Sequence, residues 1–168
     1  IVNFLPLLPG EVITSVIPTE AKAEGSYLVM VTKKGIIKRT PLNRYANVKK
    51  SGLIAINLDE GDDLAWTMVT HGNDYIIVAT KNGQAIRFSE NDVRVVGRTA
   101  RGVKAIELNG DDEVVGMGIA KSGTKILTVT EDGKGRITPA DEYRIQFRGG
   151  MGVKNFDVDK YGKVCGVG

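Results

Sequence analysis

Residues 102–106 read Gly-Val-Lys-Ala-Ile, and closely related segments stand 50 residues before and 50 residues after them. Residues 52–56 read Gly-Leu-Ile-Ala-Ile, and residues 152–156 read Gly-Val-Lys-Asn-Phe. A fixed period of this size is typical of architectures in which one small unit stacks on the next. The chain is therefore predicted to consist of successive copies of one unit of about 50 residues.

A turn motif recurs with the same period, as Thr32-Lys-Lys-Gly35, Thr80-Lys-Asn-Gly83 and Thr130-Glu-Asp-Gly133. Each copy follows a strand-like apolar run, and Asn-Gly or Asp-Gly between such runs indicates a hairpin because the turn needs a positive φ. Four short strands per unit are typical of a propeller blade, which must stack on neighbouring blades to bury its faces. The predicted fold class is all-β, with propeller-like four-stranded blades in a partial ring.

The repeat limits follow from these landmarks. The first repeat spans 16–64, the second 65–114 and the third 115–164, while 1–15 end a preceding blade and 165–168 begin a following one. The chain begins at Ile1 rather than Met. We therefore interpret residues 1–168 as a single fragment of a longer protein.

Basic residues gather around the hairpins and before the repeated glycine, whereas acidic residues gather at a different turn, as in Asp59-Glu60-Gly61-Asp62-Asp63. The net charge is +3 and the pI is near 9.0. Repeated blades would align the basic positions as a stripe that suits the phosphates of a bent duplex. The alternative is a solvated set of charges without a partner. The candidate DNA-binding residues are Lys38, Arg39, Lys49, Lys50, Arg87, Arg98, Arg101, Lys104, Lys134, Arg136, Arg148 and Lys154.

The segment Gln146-Phe147-Arg148-Gly149-Gly150-Met151-Gly152 places an arginine before three glycines. Glycines lack Cβ, so their backbone N–H groups can approach an anion closely. The last glycine of the segment is best explained by a bulge or a tight bend that enters the next strand. The other two glycines are harder to explain by packing alone.

These residues resemble the C-terminal domain of the bacterial DNA gyrase A subunit, over essentially the whole chain. In that family a Gln-(Arg/Lys)-Arg-Gly-Gly-(Arg/Lys)-Gly box marks a loop that DNA wrapping requires. Gln146, Arg148, Gly149, Gly150 and Gly152 match this box, whereas Phe147 and Met151 depart from it. We interpret 146–152 as a degenerate, box-like loop on a later blade.

The resemblance implies a β-pinwheel, in which neighbouring blades exchange strands, with DNA bent around the outer rim. It also implies that the parent, an ATP-dependent type II topoisomerase, introduces negative supercoils as an A2B2 complex with the gyrase B subunit. The expected partners are double-stranded DNA, the gyrase B subunit, and the N-terminal part of the parent polypeptide. ATP and Mg²⁺ would act in other domains or subunits, so no cofactor is expected here. The related topoisomerase IV domain remains an alternative, as does a propeller-like protein-interaction platform.

The sequence does not indicate that this chain is an enzyme in its own right. His71 is the only histidine and Cys165 the only cysteine, too few for a catalytic triad or a His-rich metal site. The acidic turns recur between copies, which favours turn formation over a metal site, although a weak calcium site remains an alternative. A single cysteine allows no internal disulfide, and no apolar run reaches membrane-spanning length. We expect a bacterial cytoplasmic, nucleoid-associated domain without membrane contact.

Overall fold

The structure is a computed structural model that describes residues 7–19, 24–49 and 51–168. Its strands are β1 (Tyr27–Thr32), β2 (Ile36–Pro41), β3 (Leu64–Thr70), β4 (Tyr75–Thr80), β5 (Gln84–Ser89), β6 (Val103–Lys104), β7 (Val114–Ile119), β8 (Lys125–Thr130), β9 (Gly135–Pro139), β10 (Val153–Lys154) and β11 (Val164–Val167). Short 3-10 helices span Leu42–Tyr45, Glu90–Asp92 and Ala140–Glu142, and one α-helical turn, α1, spans Val158–Tyr161.

The three hairpins form where the turn motif predicts them, with β1–β2, β4–β5 and β8–β9 paired in antiparallel fashion. Gly35, Gly83 and Gly133 adopt φ values of +79°, +84° and +75°, which explains the glycine at the end of each motif. The threonine at its start closes the turn. The Oγ1 atom of Thr32 accepts the Ile36 N–H at 3.1 Å, and the other two threonines make the same bond.

The sheets exchange strands between repeats. In the first sheet the order is β3-β1-β2-β6, and in the second it is β10-β5-β4-β7. Strand β6 of the second repeat thus completes the sheet of the first hairpin, and β10 of the third repeat completes the sheet of the second. The fold class and the strand exchange implied by the resemblance are therefore confirmed. The predicted repeat limits stay a prediction, since each of these sheets takes strands from two repeats.

The third sheet has the order β11-β8-β9, with three strands in the part of the chain that the structure describes. Strand β9 is its edge, at the place where β2 and β5 receive an exchanged strand in the other two sheets. Gly83 lies against Phe156 of the third repeat, but a Cβ at the equivalent Gly133 would meet no atom within 4 Å. No strand among the described residues therefore covers the outer edge of the third hairpin.

The middle sheet is buried on both faces because successive strand residues point to opposite sides. Ile76, Val78, Ile86 and Phe88 pack towards the first sheet, in one cluster with Val29, Val31 and Ile37. Ile77, Ala79 and Ala85 pack in a second cluster, with Ile126, Ala140 and Tyr143 from the third repeat. Trp66 on β3 belongs to neither cluster and is 43% exposed.

The repeated glycine packs tightly onto the preceding blade. A Cβ at Gly102 would collide with the carbonyl oxygen of Ile37, and one at Gly152 would collide with the carbonyl oxygen of Ala85. Only glycine allows this backbone approach at the entry to β6 and β10. The structural explanation of the glycine is therefore confirmed in these two copies. In the first copy, Gly52 has no atom within 4 Å of an added Cβ.

Candidate nucleic-acid interface

The candidate basic residues divide into three groups by exposure. Lys38, Arg39 and Arg87 are buried; Arg98 and Arg148 are half-buried; Lys49, Arg101, Lys104, Lys134, Arg136 and Lys154 are exposed. Lys50 lies outside the described residues. Side chains in the exposed group can reach a phosphate, and buried ones cannot.

The structure corrects the prediction that Arg39 and Arg87 contact DNA. They occupy equivalent positions in β2 and β5, are 6% and 3% exposed, and reach across to the next repeat. The Arg87 Nη1 atom donates to the carbonyl oxygen of Ala140 at 2.8 Å and lies 3.4 Å from Asp141 Oδ1. Each guanidinium also lies over a tyrosine ring of its own hairpin, Tyr27 or Tyr75. These arginines hold neighbouring blades together, which leaves them no free face for DNA.

The structure also corrects the prediction that Lys38 contacts DNA. Its side chain is fully buried, and its Nζ atom donates to the carbonyl oxygens of Ala55, at 2.9 Å, and of Arg98. Burial, with a smaller contribution from the Arg98 guanidinium, lowers the pKa of this ammonium group. Lys38 thus joins a segment of its own repeat to the loop of the next repeat and does not face solvent.

The exposed lysines of the outer strands carry acidic neighbours. Lys104 on β6 forms an ion pair with Glu107, and Lys154 on β10 forms the equivalent pair with Asp157 at 3.5 Å. Arg101, in the preceding loop, pairs with Asp59 at 2.6 Å. Exposed pairs of this kind contribute at most about 1 kcal/mol. A phosphate can therefore compete with the carboxylate for each of these cations.

Three basic side chains converge between the second and third sheets. Arg136 from β9, Lys154 from β10 and Arg144 line a cleft of ≈ 240 Å³, together with Tyr143. Glu142 is the acidic group in the lining of this cleft. Arg144 is not among the candidate DNA-binding residues predicted from the sequence. The available signal was its equivalent in the second repeat, Arg94, which is also exposed.

The box-like loop is docked on the preceding repeat. Arg148 donates from Nε to the Asp92 carbonyl oxygen at 2.8 Å and from Nη1 to the Lys104 carbonyl oxygen at 3.0 Å. The Gly149 N–H donates to the Ala105 carbonyl oxygen at 2.7 Å, with Gly149 at φ +87°. This N–H is therefore not available to an anion. The positive φ explains the glycine, because an added Cβ would make only ordinary contacts, the nearest at 3.6 Å from the Lys104 carbonyl oxygen. The Gly150 carbonyl oxygen accepts the Glu107 N–H at 2.8 Å.

Gln146 lies within the same loop as a half-buried side chain. Its N–H donates to the Arg87 carbonyl oxygen at 2.9 Å, while its side-chain Nε2 is buried without a hydrogen-bond partner among the described residues. The glutamine therefore faces the protein, and the residues on either side of it face outward. The contact predicted between Arg148 and DNA stays a prediction.

The repeated acidic turns serve the hairpins. Asp62 Oδ1 accepts the N–H of Lys34 at 3.0 Å, and Asp112 Oδ1 accepts the N–H of Asn82 at 2.8 Å. Each aspartate thus closes the turn of a neighbouring hairpin, as the turn explanation predicts. Within the described ranges, no group of three or more metal-ligating side chains comes together. No helix among those residues is long and apolar enough to cross a membrane.

The family model described as DNA gyrase C-terminal domain, beta-propeller, matches residues 26–71, 74–121 and 124–167, one match for each repeat. This chain belongs to the DNA gyrase C-terminal domain family. The family is that of the A subunit of a type IIA topoisomerase, as the resemblance in the sequence predicted. Each match begins one residue before a hairpin and runs through the end of β3, β7 or β11.

Proteins similar in sequence to this chain include DNA gyrase A subunits. The chain is 51% identical over 106 residues to the DNA gyrase A subunit of Halalkalibacterium halodurans, a match that covers 63% of this chain and 13% of the relative. It is 54% identical over 104 residues to that of Clostridium acetobutylicum, covering 62% and 12%. The chain thus spans about an eighth of the length of the curated relatives it matches.

Solved structures agree on the fold. A DNA gyrase A C-terminal domain superposes with a TM-score of 0.75 at 28% identity, over 84% of this chain and 48% of that one. The C-terminal domain of DNA topoisomerase IV superposes with a TM-score of 0.64 over 99% of this chain and 68% of that one. At 22% identity, the second likeness shows the fold alone.

Proposed function

We propose that this chain binds double-stranded DNA on its outer rim, without reading base sequence, and bends it. The observation that carries the proposal is the placement of Lys104 and Lys154. They are exposed at equivalent positions on β6 and β10, which are the outermost strands of neighbouring sheets. Successive blades therefore present a cation at the same place, and a bent duplex can lay its phosphates along that row.

In the full-length parent, this bending would wrap DNA and present a segment for strand passage. It would thereby support ATP-dependent negative supercoiling by an A2B2 complex with the gyrase B subunit. We assign no catalytic residue to this chain, and we place the use of ATP and Mg²⁺ in other domains or subunits. The setting that fits this role is the bacterial cytoplasm, at the nucleoid.

The proposal can be tested by the affinity of the chain for a duplex of about 40 base pairs, measured by fluorescence anisotropy between about 50 and 200 mM salt. The test variant is Lys104→Gln/Lys154→Gln with Arg136→Gln. Neutralising three phosphate contacts should reduce the log–log salt slope by about 2.7, since each contact contributes about 0.9. Affinity at low salt should fall accordingly.

A matched control removes two lysines of the hairpin turns that lie beside the acidic turns. Lys33 and Lys81 pair with Asp63 and Glu113 of the acidic turns, at 3.3 and 3.8 Å. The variant Lys33→Gln/Lys81→Gln should leave the salt slope unchanged. Absence of binding at low salt, or an equal loss of affinity in both variants, would contradict DNA binding by the rim. Either result would favour the protein-interaction platform.

A further inference from the structure

Three apolar side chains project into solvent from the box-like loop and from the residue that precedes it. Ile145 is 54% exposed, Phe147 is 67% exposed and Met151 is 56% exposed. The second repeat has Val95 at the position equivalent to Ile145, and Val95 is 44% exposed although its repeat lies between two others. Exposure is therefore a property of this place on the rim, and the outer edge of the third hairpin does not cause it.

The loop that carries these side chains is held rigidly. Its residues alternate, with Gln146 turned inward between two outward neighbours. Arg148 grips the Asp92 and Lys104 carbonyl oxygens, and the loop backbone exchanges hydrogen bonds with Arg87, Ala105 and Glu107 at 2.7 to 2.9 Å. The exposed tip of the loop, formed by Ile145, Phe147 and Met151, therefore loses little conformational entropy when it binds a partner.

The surroundings of the tip are basic. The Arg148 guanidinium lies 5.4 Å from the centre of the Phe147 ring. Arg136, Arg144 and Lys154 line the cleft beside the loop's own repeat. The tip thus combines a large apolar group with cations, and this combination suits a polyanion that has an apolar interior, as duplex DNA does.

We propose that the loop enters the minor groove and that Phe147 inserts between two base pairs, with Ile145 and Met151 against the groove walls. Apolar wedges of this kind partly unstack a base step and kink the duplex towards the major groove. The kink would supply a sharp bend on the blade whose box has lost two basic residues. This inference rests on the proposed function, because it presupposes that DNA lies on the rim.

The test uses a duplex of about 40 base pairs with 2-aminopurine in place of adenine at TpA steps, which unstack most readily. A donor and an acceptor dye at the two ends report bending. Binding of the chain should raise the 2-aminopurine fluorescence and the energy transfer. Phe147→Ala/Met151→Ala should abolish both increases and lower affinity about tenfold, with the salt slope unchanged.

Two further variants make the result specific. Phe147→Leu keeps a bulky apolar wedge and should retain most of the unstacking signal. Leu127→Ala removes an exposed apolar side chain on β8, outside the loop, and should behave as the parent chain does. A normal salt slope with equal 2-aminopurine fluorescence for the unsubstituted chain and for Phe147→Ala/Met151→Ala would overturn the insertion of Phe147 but not the proposed function. Absence of salt-dependent binding overturns the proposed function and the wedge with it.

Discussion

Arg39 and Glu90 form a buried ion pair between two repeats, with 3.1 Å between Nη1 and Oε2 and with Glu90 fully buried. Glu90 is saturated by other donors as well. The Thr70 hydroxyl donates to it at 2.6 Å and the Asp74 N–H at 2.7 Å. A buried carboxylate with this many donors fixes the position of the second hairpin relative to the first.

Removal of one partner of this pair should be strongly destabilising. Arg39→Met leaves the Glu90 charge buried without its cation, and we expect a loss of about 3–5 kcal/mol in the free energy of unfolding. The double variant Arg39→Met/Glu90→Met should lose less than the sum of the single variants. Urea denaturation checks this. Arg101→Met, which breaks an exposed pair with Asp59, is the control and should cost about 1 kcal/mol or less.

The burial of these charges shows where the sequence was insufficient. Local turn chemistry and the 50-residue period predicted the hairpins and the blades, because both depend on neighbouring residues. The direction of a side chain depends on which face a later repeat covers. One signal did exist: Arg39 and Arg87 are replaced by Ile137 at the equivalent place of the third repeat. A position that alternates between arginine and isoleucine is more typical of a covered face than of a phosphate contact.

The box-like loop gives a second example. The sequence correctly set Gly152 apart as a structural glycine, since it recurs in each repeat. It could not show that the Gly149 N–H is bonded to Ala105, because that contact joins residues 44 positions apart in different repeats. Contacts between repeats, rather than local propensity, decide which candidate residues face solvent.

The repeated glycines should differ in their tolerance of alanine. At Gly152, φ is +74° and an added Cβ would collide with the Ala85 carbonyl oxygen, so Gly152→Ala combines backbone strain with overpacking. We expect a loss of about 3–4 kcal/mol. Gly52 has a similar φ of +79° but open space, so Gly52→Ala should lose only about 1 kcal/mol. Equal melting temperatures for the two variants would contradict the packing argument.

Asp141 should contribute to the pH dependence of stability. The Gly123 N–H, the Ser122 hydroxyl and, less strongly, Arg87 hold the pKa of its carboxyl below the usual value of 3.8. The folded state therefore favours the ionised form. This stabilisation is present above pH 3.8 and is lost as the pH falls through the lower folded-state pKa.

Melting temperatures of the parent chain and of Asp141→Asn, measured from about pH 2 to pH 7, check this prediction. The parent should be the more stable at neutral pH, and the difference should shrink in acid. Ser122→Ala keeps the carboxylate but removes one donor, and it should give a smaller difference of the same sign. A difference that is constant across this range would show that Asp141 acts through packing and not through its charge.

Strand β9 should exchange its amide hydrogens faster than its counterparts in the other sheets. It pairs with β8 on one side, and no strand within the described residues pairs with its other side. Strands β2 and β5 are paired on both sides, by β6 and β10 as well as by their own hairpin partners. Unpaired edge amides open with little local free energy.

Hydrogen exchange followed by mass spectrometry should show this in peptides that contain one strand each. The peptide of β9 should exchange well before those of β2 and β5, and also before that of β8, which is paired with β11 and β9 in the same sheet. The comparison with β8 separates an edge effect from a loose third blade. Equal protection of β8 and β9 would mean that the open edge is covered in solution, and a second copy of the chain would then be the first occupant to test by sedimentation.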